Sequence, residues 1–394
     1  MTSEGKKAWS IGVVTIGTYI INYYLRNLLS IFTPSLLETG KYTVEHIALM
    51  SSTYMLFYAI GQLINGILGD MLSPKKMIFW GNALAGLSMI AFPFVPFKFV
   101  QIALFALLGF SLSMERGPLM KIISENTVPE HARLICVFFS FAGFVGPLIV
   151  SLLAMIFEWN MAFVIAGAVA IAGAVVAFFK IADMEKKGTV IYRTSVGRSI
   201  GSVFDVFKIE NFIYYRIIAC LVEIACSSIS FWIPTYLTEN LMFDKVTANS
   251  IFSGISTARA FMPFVALYIF RILREKDAPM MYVCFVITTV FFVGMMLADN
   301  KWLSIFYLVI AMLSISCISS LLWSIYIPSL GKTGKVSSAN GVLDCSGYAA
   351  AAVANILFAN VMAKVSWNGV FLLWASIGVI GFVSTVIVRA KKKA

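Results

Sequence analysis

The chain has 394 residues, is 60% hydrophobic and only 12% charged, and carries a formal net charge of +11. A soluble globular domain is near half apolar and a quarter charged. This balance, with a mean hydropathy of +0.89, excludes that class and reads as an all-α polytopic membrane protein embedded in a lipid bilayer.

In chain order, helix-length apolar runs are predicted at 9–37, 45–69, 77–96, 99–123, 133–157 and 161–180. The polar stretch IADMEKKGTVIYRTSVGRSIGSVFDVFKIEN, 181–211, follows as a basic linker. Six more runs cover 212–238, 246–270, 279–298, 302–329, 337–363 and 368–389. The expected organisation is twelve transmembrane helices in two six-helix bundles, over 1–180 and 212–394, joined by the linker 181–211. No room is left for a separate soluble domain, and no cleavable leader is expected, because the first apolar run is too long.

The basic residues sort by loop. Lys6, Lys7, Lys75, Lys76, Lys186, Lys187, Arg193, Arg198, Arg271, Arg274, Lys276, Lys332, Lys335 and the RAKKK tail share one set of ends; the opposite loops hold Lys41, Lys98, Lys245, Lys301 and Lys364. The positive-inside rule then puts both termini and the linker in the cytoplasm, with a bacterial inner membrane as the expected location. Bases spread over span ends do not form a nucleic-acid patch, so no nucleic-acid partner is expected. Trp9, Trp80, Trp159, Trp302 and Trp367 fall near span ends, where interface anchors belong. The six cysteines lie in apolar runs without CxxC spacing, and His46 and His131 are placed in loops; no metal, disulfide framework or cofactor is expected.

Several charges fall inside the spans: Arg26, Glu115, Arg116, Glu223, Arg259 and Asp344. Each costs about 2.5–3.5 kcal/mol at the bilayer centre on insertion scales, so each faces a partner or a cavity. Thr15, Tyr19, Asn22, Arg26, Ser30 and Thr33 are spaced 4, 3, 4, 4 and 3, one helix face lined with hydroxyls and an amide around a guanidinium. That face, with Tyr23 beside it, is read as an anion contact on a water-filled path, since a guanidinium offers a rigid fork of donors to carboxylate or phosphate. Arg116 and Arg259 are both candidates for a second contact. Cys220, Glu223, Ser227 and Ser230 form a shorter stripe in span 7, and Asp344 lies between Asn340 and Tyr348 on one face of span 11. Glu223 and Asp344 are candidates for proton exchange or for static pairing with Arg259 or Arg26. Glu115 is read mainly as a residue that locks the bundle. Lys121 is near enough to a span end to snorkel and is read as structural.

The halves echo each other. FTPSLLE ends span 1 and WIPTYLTE ends span 7, each with Pro-x-x-Leu, at Pro34 and Pro234. A repeat of six spans about a linker resembles the major facilitator architecture, whose site lies near mid-membrane between two halves that rock about it. GILGDMLSPKK, with Gly66, Asp70, Lys75 and Lys76, resembles the gating motif of that superfamily, although Met71 stands where a base usually follows the aspartate. The resemblance implies that Asp70 caps a neighbouring helix and that bases bridge to it. YYLRNLLSIFTPSL, YMLFYAIGQLINGILGD, FWIPTYLTE and SSANGVLDCSGYAAAAVANI resemble the organophosphate:phosphate antiporter family. That likeness implies an anionic substrate clamped by arginines from spans 1 and 7. Arg26 matches the first position; the second falls on Cys226, the family's span 2 lysine on Gln62, and its span 5 histidine near Gly143. The related anion:cation symporters resemble this balance of arginine and carboxylate better.

The expected function is secondary active transport of a small organic anion by a monomer, through exchange with inorganic phosphate or proton symport. A non-transporting membrane sensor and a multidrug/proton antiporter are the alternatives. No clustered nucleophile, metal or general-base set suggests an enzyme.

Overall fold

The structure, a computed structural model, describes residues 3–192, 205–273, 276–362 and 367–391, with side chains over 4–192, 205–273, 276–354 and 367–387. Arg193, Arg198, Arg274, Lys364 and the side chains of the basic tail lie outside the described residues. Among the described residues there are twelve long helices and no strand. The first six are α1 (Ser3–Glu38), α2 (Val44–Met71), α3 (Pro74–Ala91), α4 (Lys98–Asn126), α5 (Pro129–Ala154) and α6 (Trp159–Lys186). Then come α7 (Phe212–Thr235), α8 (Lys245–Ile272), α9 (Asp277–Met296), α10 (Lys301–Ser320), α11 (Val336–Met362) and α12 (Trp367–Lys391). Past Pro234, α7 runs on into a π turn, Tyr236–Asn240. α10 continues through a π turn, Leu321–Tyr326, and two short turns that end at Thr333.

By length and composition, ten helical segments are apolar enough to cross a membrane among the described residues. α1 falls outside that set because its polar stripe lowers its hydropathy; part of α11 lies outside the residues searched. α6 runs to Lys186, past the predicted end at 180, because its last turn supports itself with the Asp183–Lys187 pair at 2.6 Å, one turn apart. His46 and His131 lie in the first turns of α2 and α5 rather than in loops.

The contacts divide the helices into two units: Met1–Val206 with Ile327–Cys345, and Phe207–Tyr326 with Ser346–Ala394. In the first unit α2 packs on α4, α3 on both α4 and α6, and α1 on α5 and α6. In the second, α8 packs on α10, α9 on both α10 and α12, and α7 on α12. Adding six to each helix number maps most of the first set onto the second, the structural form of the repeat heard in the two Pro-x-x-Leu ends. Small residues make these contacts close, as expected where lipid removes the hydrophobic drive between helices. Ala162, Ala166, Ala170, Ala174 and Ala177 form a buried stripe along α6. Where α6 crosses α3, a Cβ added to Gly86 would sit 2.6 Å from the Gly167 carbonyl oxygen, so neither glycine tolerates a side chain.

Candidate functional site

The polar stripe of α1 is divided by its neighbours. Thr15, Tyr19 and Asn22 are buried: the Thr15 hydroxyl donates back to the Ile11 carbonyl of α1 at 2.9 Å, and Asn22 Nδ2 donates to the Leu112 carbonyl of α4 at 3.0 Å. Tyr19 stacks on Phe139 of α5, with ring centroids 3.7 Å apart, and meets Tyr23 edge-on at 5.1 Å. Asn22 and Tyr19, read from spacing as cavity residues, are therefore engaged in packing α1 onto α4 and α5. Arg26 is half-buried, and its guanidinium carbon lies 5.0 Å from the Tyr58 ring centroid and 5.6 Å from that of Tyr23. Tyrosine faces attract a cation through the ring quadrupole.

Asp344, a candidate for proton exchange or for pairing with Arg26 or Arg259, forms an ion pair with Arg116. Arg116 Nη1 stands 3.0 Å from Asp344 Oδ1, and Asn340 Nδ2 donates to Asp344 Oδ2 at 2.9 Å. The side chains are 13% and 2% exposed, a desolvated pair of the kind that holds only with its hydrogen bonds in place. The reason is proximity: the first part of α11 packs with the first unit, where Ser337 lies against Gly117 of α4. Glu115, next along α4, is fully buried and points away from Arg116, about 100° around the helix. No charged partner lies at ion-pair distance from Glu115 among the described residues.

In the second unit, Arg259 of α8 is held by hydroxyls. Its Nε donates to Ser316 Oγ of α10 and its Nη1 to Ser230 Oγ of α7, both at 2.9 Å, with the Cys226 thiol close by. No carboxylate lies at ion-pair distance from Arg259 among the described residues. Glu223, one turn from Cys226 and Ser227 on α7, is half-buried and lies against Gly347 of α11. Ser230 was visible in the span 7 stripe; Ser316 was legible only as one of many small hydroxyl residues in span 10.

Asp70 closes α2 and caps α11. Its Oδ1 accepts from the Ser337 N–H at 3.2 Å and its Oδ2 from the Ser338 N–H at 2.8 Å. These are first-turn amides of α11 with no helical acceptor, and a carboxylate there also meets the positive end of the helix dipole. The base that reaches Asp70 is Lys121, not Lys75 or Lys76. Lys121 does not snorkel: it is 1% exposed, donates to the Gly69 and Asp70 carbonyls at 3.3 and 3.1 Å, and stands 3.9 Å from Asp70 Oδ1. A cation at the carbonyl end of α2 is the mirror of the anion at the amide end of α11. Lys75 pairs with Glu185 of α6, whose other oxygen accepts from the Tyr192 hydroxyl at 2.8 Å; Lys76 is exposed. Burial, with Glu185 alongside, pushes the Tyr192 hydroxyl up from its ordinary value, so it remains a donor. Beside this cap, α2 and α11 cross at two glycines: a Cβ on Gly66 would sit 2.7 Å from Gly341 Cα.

The six cysteines are free thiols, and no group of three or more metal-ligating side chains occurs among the described residues.

A family model described as the Major Facilitator Superfamily matches residues 15–352. Among curated proteins, the membrane sensor protein UhpC of Salmonella typhimurium is 21% identical over 267 residues, 60% of this chain and 58% of that protein. The chain thus spans less than two thirds of that relative's length. Among solved structures, a bacterial homologue of the iron transporter ferroportin in an outward-facing state aligns with a TM-score of 0.76 at 10% identity, over 96% of this chain and 99% of the other. The transporter FucP in its outward conformation gives 0.74 at 13%, over 96% and 98%. The proton:xylose symporter XylE gives 0.71 at 11%, over 98% and 96%. At such identities the structures speak for the fold alone.

Proposed function

Because the chain belongs to the Major Facilitator Superfamily, a family of multi-pass membrane transporters rather than enzymes, we propose that it carries a small organic anion by alternating access. The observation that carries this reading is Arg259. Its guanidinium sits midway along α8 and is bonded to the Ser230 and Ser316 hydroxyls. These hydroxyls take two of its five N–H donors and bring no charge, and no carboxylate stands at ion-pair distance among the described residues, which is costly inside a membrane. A carboxylate or phosphate group restores neutrality and fits the planar fork. Arg26, seated on Tyr23 and Tyr58, supplies the matching cation of the first unit. Arg116 is secured by Asp344 and takes a supporting part.

In this reading the substrate is a sugar phosphate, another organophosphate or a carboxylate. Transport proceeds by phosphate exchange or proton symport, and Glu223 and Asp344 couple protons or reset the empty carrier. The Asp70–α11 cap with Lys121 serves as a gate, and the Lys75–Glu185 pair stiffens the same end of α2 and α6. A monomer in a bacterial inner membrane, with both termini cytoplasmic, completes the proposal. A second reading is a membrane sensor that binds such an anion without moving it. It is favoured by the name of the UhpC relative, a membrane sensor protein.

The test is uptake of labelled hexose phosphates, glycerol phosphate and sugar acids into vesicles holding the purified chain, with Arg259→Lys and Arg259→Ala beside the native protein. Uptake of one anion is expected, weakened by Lys and abolished by Ala. Equal uptake by all three proteins refutes the role of Arg259. Saturable binding without uptake selects the sensor.

A further inference from the structure

At one end of the second unit four helix termini meet around a cavity of about 860 Å³. They are the π turn that ends α7, the end of α9, and the first turns of α10 and α12. In the orientation proposed above this end faces away from the cytoplasm. Pockets that hold small molecules run to about 300–1,000 Å³, so the cavity is of ligand size. The π turn past Pro234 brings Tyr236 and Asn240 to its wall, and such turns are frequent at functional sites.

The buried side of the cavity is aromatic and packed. Tyr236 and Phe371, each 2% exposed, meet edge-on with ring centroids 5.2 Å apart, and Trp367 packs on Tyr236 at 5.0 Å. Trp302 is largely exposed and leans on Phe243 at 5.5 Å. Its backbone is fixed by Asn300, whose Oδ1 caps α10 by accepting from the Trp302 N–H at 2.8 Å. The polar groups of the wall are mostly uncharged. Asn240, Asn300 and Asn368 bring amides, and the Tyr236 hydroxyl lies beside the Ser304 and Asn240 side chains. The charges among the lining residues are one carboxylate, Asp299, and one ammonium, Lys301, which stands 4.9 Å from the Phe243 ring centroid; in sum they cancel.

An interface anchor needs an indole at headgroup depth, but not a cavity beside it walled by amides and hydroxyls. Amides and hydroxyls each offer both a donor and an acceptor. Their match is a ligand group that also does both, which is a hydroxyl, and several such wall groups call for several hydroxyls. Aromatic faces carry the negative side of the ring quadrupole and accept C–H groups. A sugar ring supplies hydroxyls at its edge and C–H groups on its face. A dianion finds a single ammonium offset by a carboxylate, and a hydrocarbon chain would strip water from the amides without replacing it.

We infer that this end of the second unit is a binding site for a neutral sugar, with Trp302 and Trp367 meeting its C–H face and Asn240, Asn300 and Asn368 its hydroxyls. The site is separate from Arg259, midway along α8, and does not rest on the proposed transport.

The test places the purified full-length chain in phosphatidylcholine nanodiscs, because sugar-headed detergents would compete. Glucose, galactose, mannose, maltose and lactose are titrated by saturation-transfer NMR and tryptophan fluorescence, with glycerol phosphate and phosphoethanolamine alongside. Saturable binding of at least one sugar is expected. Trp302→Ala and Asn368→Ala should each weaken it about tenfold or more. Both side chains are exposed, so thermal unfolding of these variants should match that of the native chain. Trp302→Phe, which keeps a ring face, should retain most of the affinity, and Lys301→Ala should leave it nearly unchanged. No saturable binding of any of the sugars overturns the inference. Sugar binding that both alanine variants leave intact lies elsewhere and overturns it as well. Binding of phosphoethanolamine or glycerol phosphate in place of sugar, lost in Lys301→Ala, assigns the cavity to a lipid headgroup and overturns the sugar.

Discussion

Replacing Asp70 by alanine uncaps α11. The native carboxylate makes two charge-assisted bonds, to the Ser337 and Ser338 amides at 3.2 and 2.8 Å, at a position only 5% exposed. Loss of an N-cap costs about 0.5–2 kcal/mol in general. Here two buried N–H groups lose their acceptors, each at about 1–3 kcal/mol, so the total is about 2–6 kcal/mol. At about 1.4 kcal/mol per tenfold, local opening at the start of α11 becomes about 30- to 20,000-fold more frequent. Asparagine keeps one acceptor oxygen, turns its amide nitrogen toward the other backbone N–H, and gives up the charge facing the helix dipole and Lys121. Asp70→Asn should therefore lose about 1–3 kcal/mol, roughly 5- to 140-fold in opening. Hydrogen exchange followed by mass spectrometry on the peptide spanning 335–345 reads this directly. The expected order of protection is Asp, then Asn, then Ala. Identical protection in all three proteins would show that the cap contributes nothing and would remove Asp70 from the gate.

Three further outcomes follow from the same geometry. Asp344→Asn leaves Arg116 charged and buried and should lower stability by about 3–5 kcal/mol, whereas Arg116→Met with Asp344→Leu should recover most of the loss; thermal unfolding of the purified proteins decides. Gly341→Ala places a methyl 2.8 Å from Gly66 Cα and should cost about 1–3 kcal/mol by forcing α2 and α11 apart, seen as faster exchange in the 335–345 peptide with Asp70 intact. Asp244, at the start of α8, is held below its ordinary carboxyl value by the Thr247 side chain and by the Thr247 N–H at 3.0 Å. A carboxyl lowered on folding stabilises above its unfolded pKa and stops doing so as pH falls through the lower folded value. The first turn of α8 should thus keep its exchange protection from neutral pH down to about 4 and fray below that, and Asp244→Ala should remove the pH dependence.

The architecture was legible because membrane physics writes it in one dimension. Every backbone polar group in lipid must be paired within its own helix, so apolar runs of the right length mark the spans directly. The same logic singled out Arg26, Glu115, Arg116, Glu223, Arg259 and Asp344, since a charge in such a run is costly wherever it points. Partner choice was not legible. Arg116 and Asp344 are 228 residues apart, and only the packing of the first part of α11 with the first unit brings them together. Lys121 showed the same limit. Distance from a span end suggested that it reaches water, but the neighbouring end of α2 offers it two carbonyls and a carboxylate instead.

The sequence by itself determined that this chain crosses a membrane many times, repeats after six helices and keeps a handful of charges in its interior. Those are properties of composition and period, readable one helix at a time. Tertiary structure alone decided which charges neutralise each other and which do not. It tied Arg116 to Asp344, seated Arg259 on the Ser230 and Ser316 hydroxyls, and buried Glu115 between the Asn22 and Asn82 amides. The physical reason is that the cost of a buried charge depends on atoms within a few ångströms, and in this fold those atoms come from helices far apart in the chain.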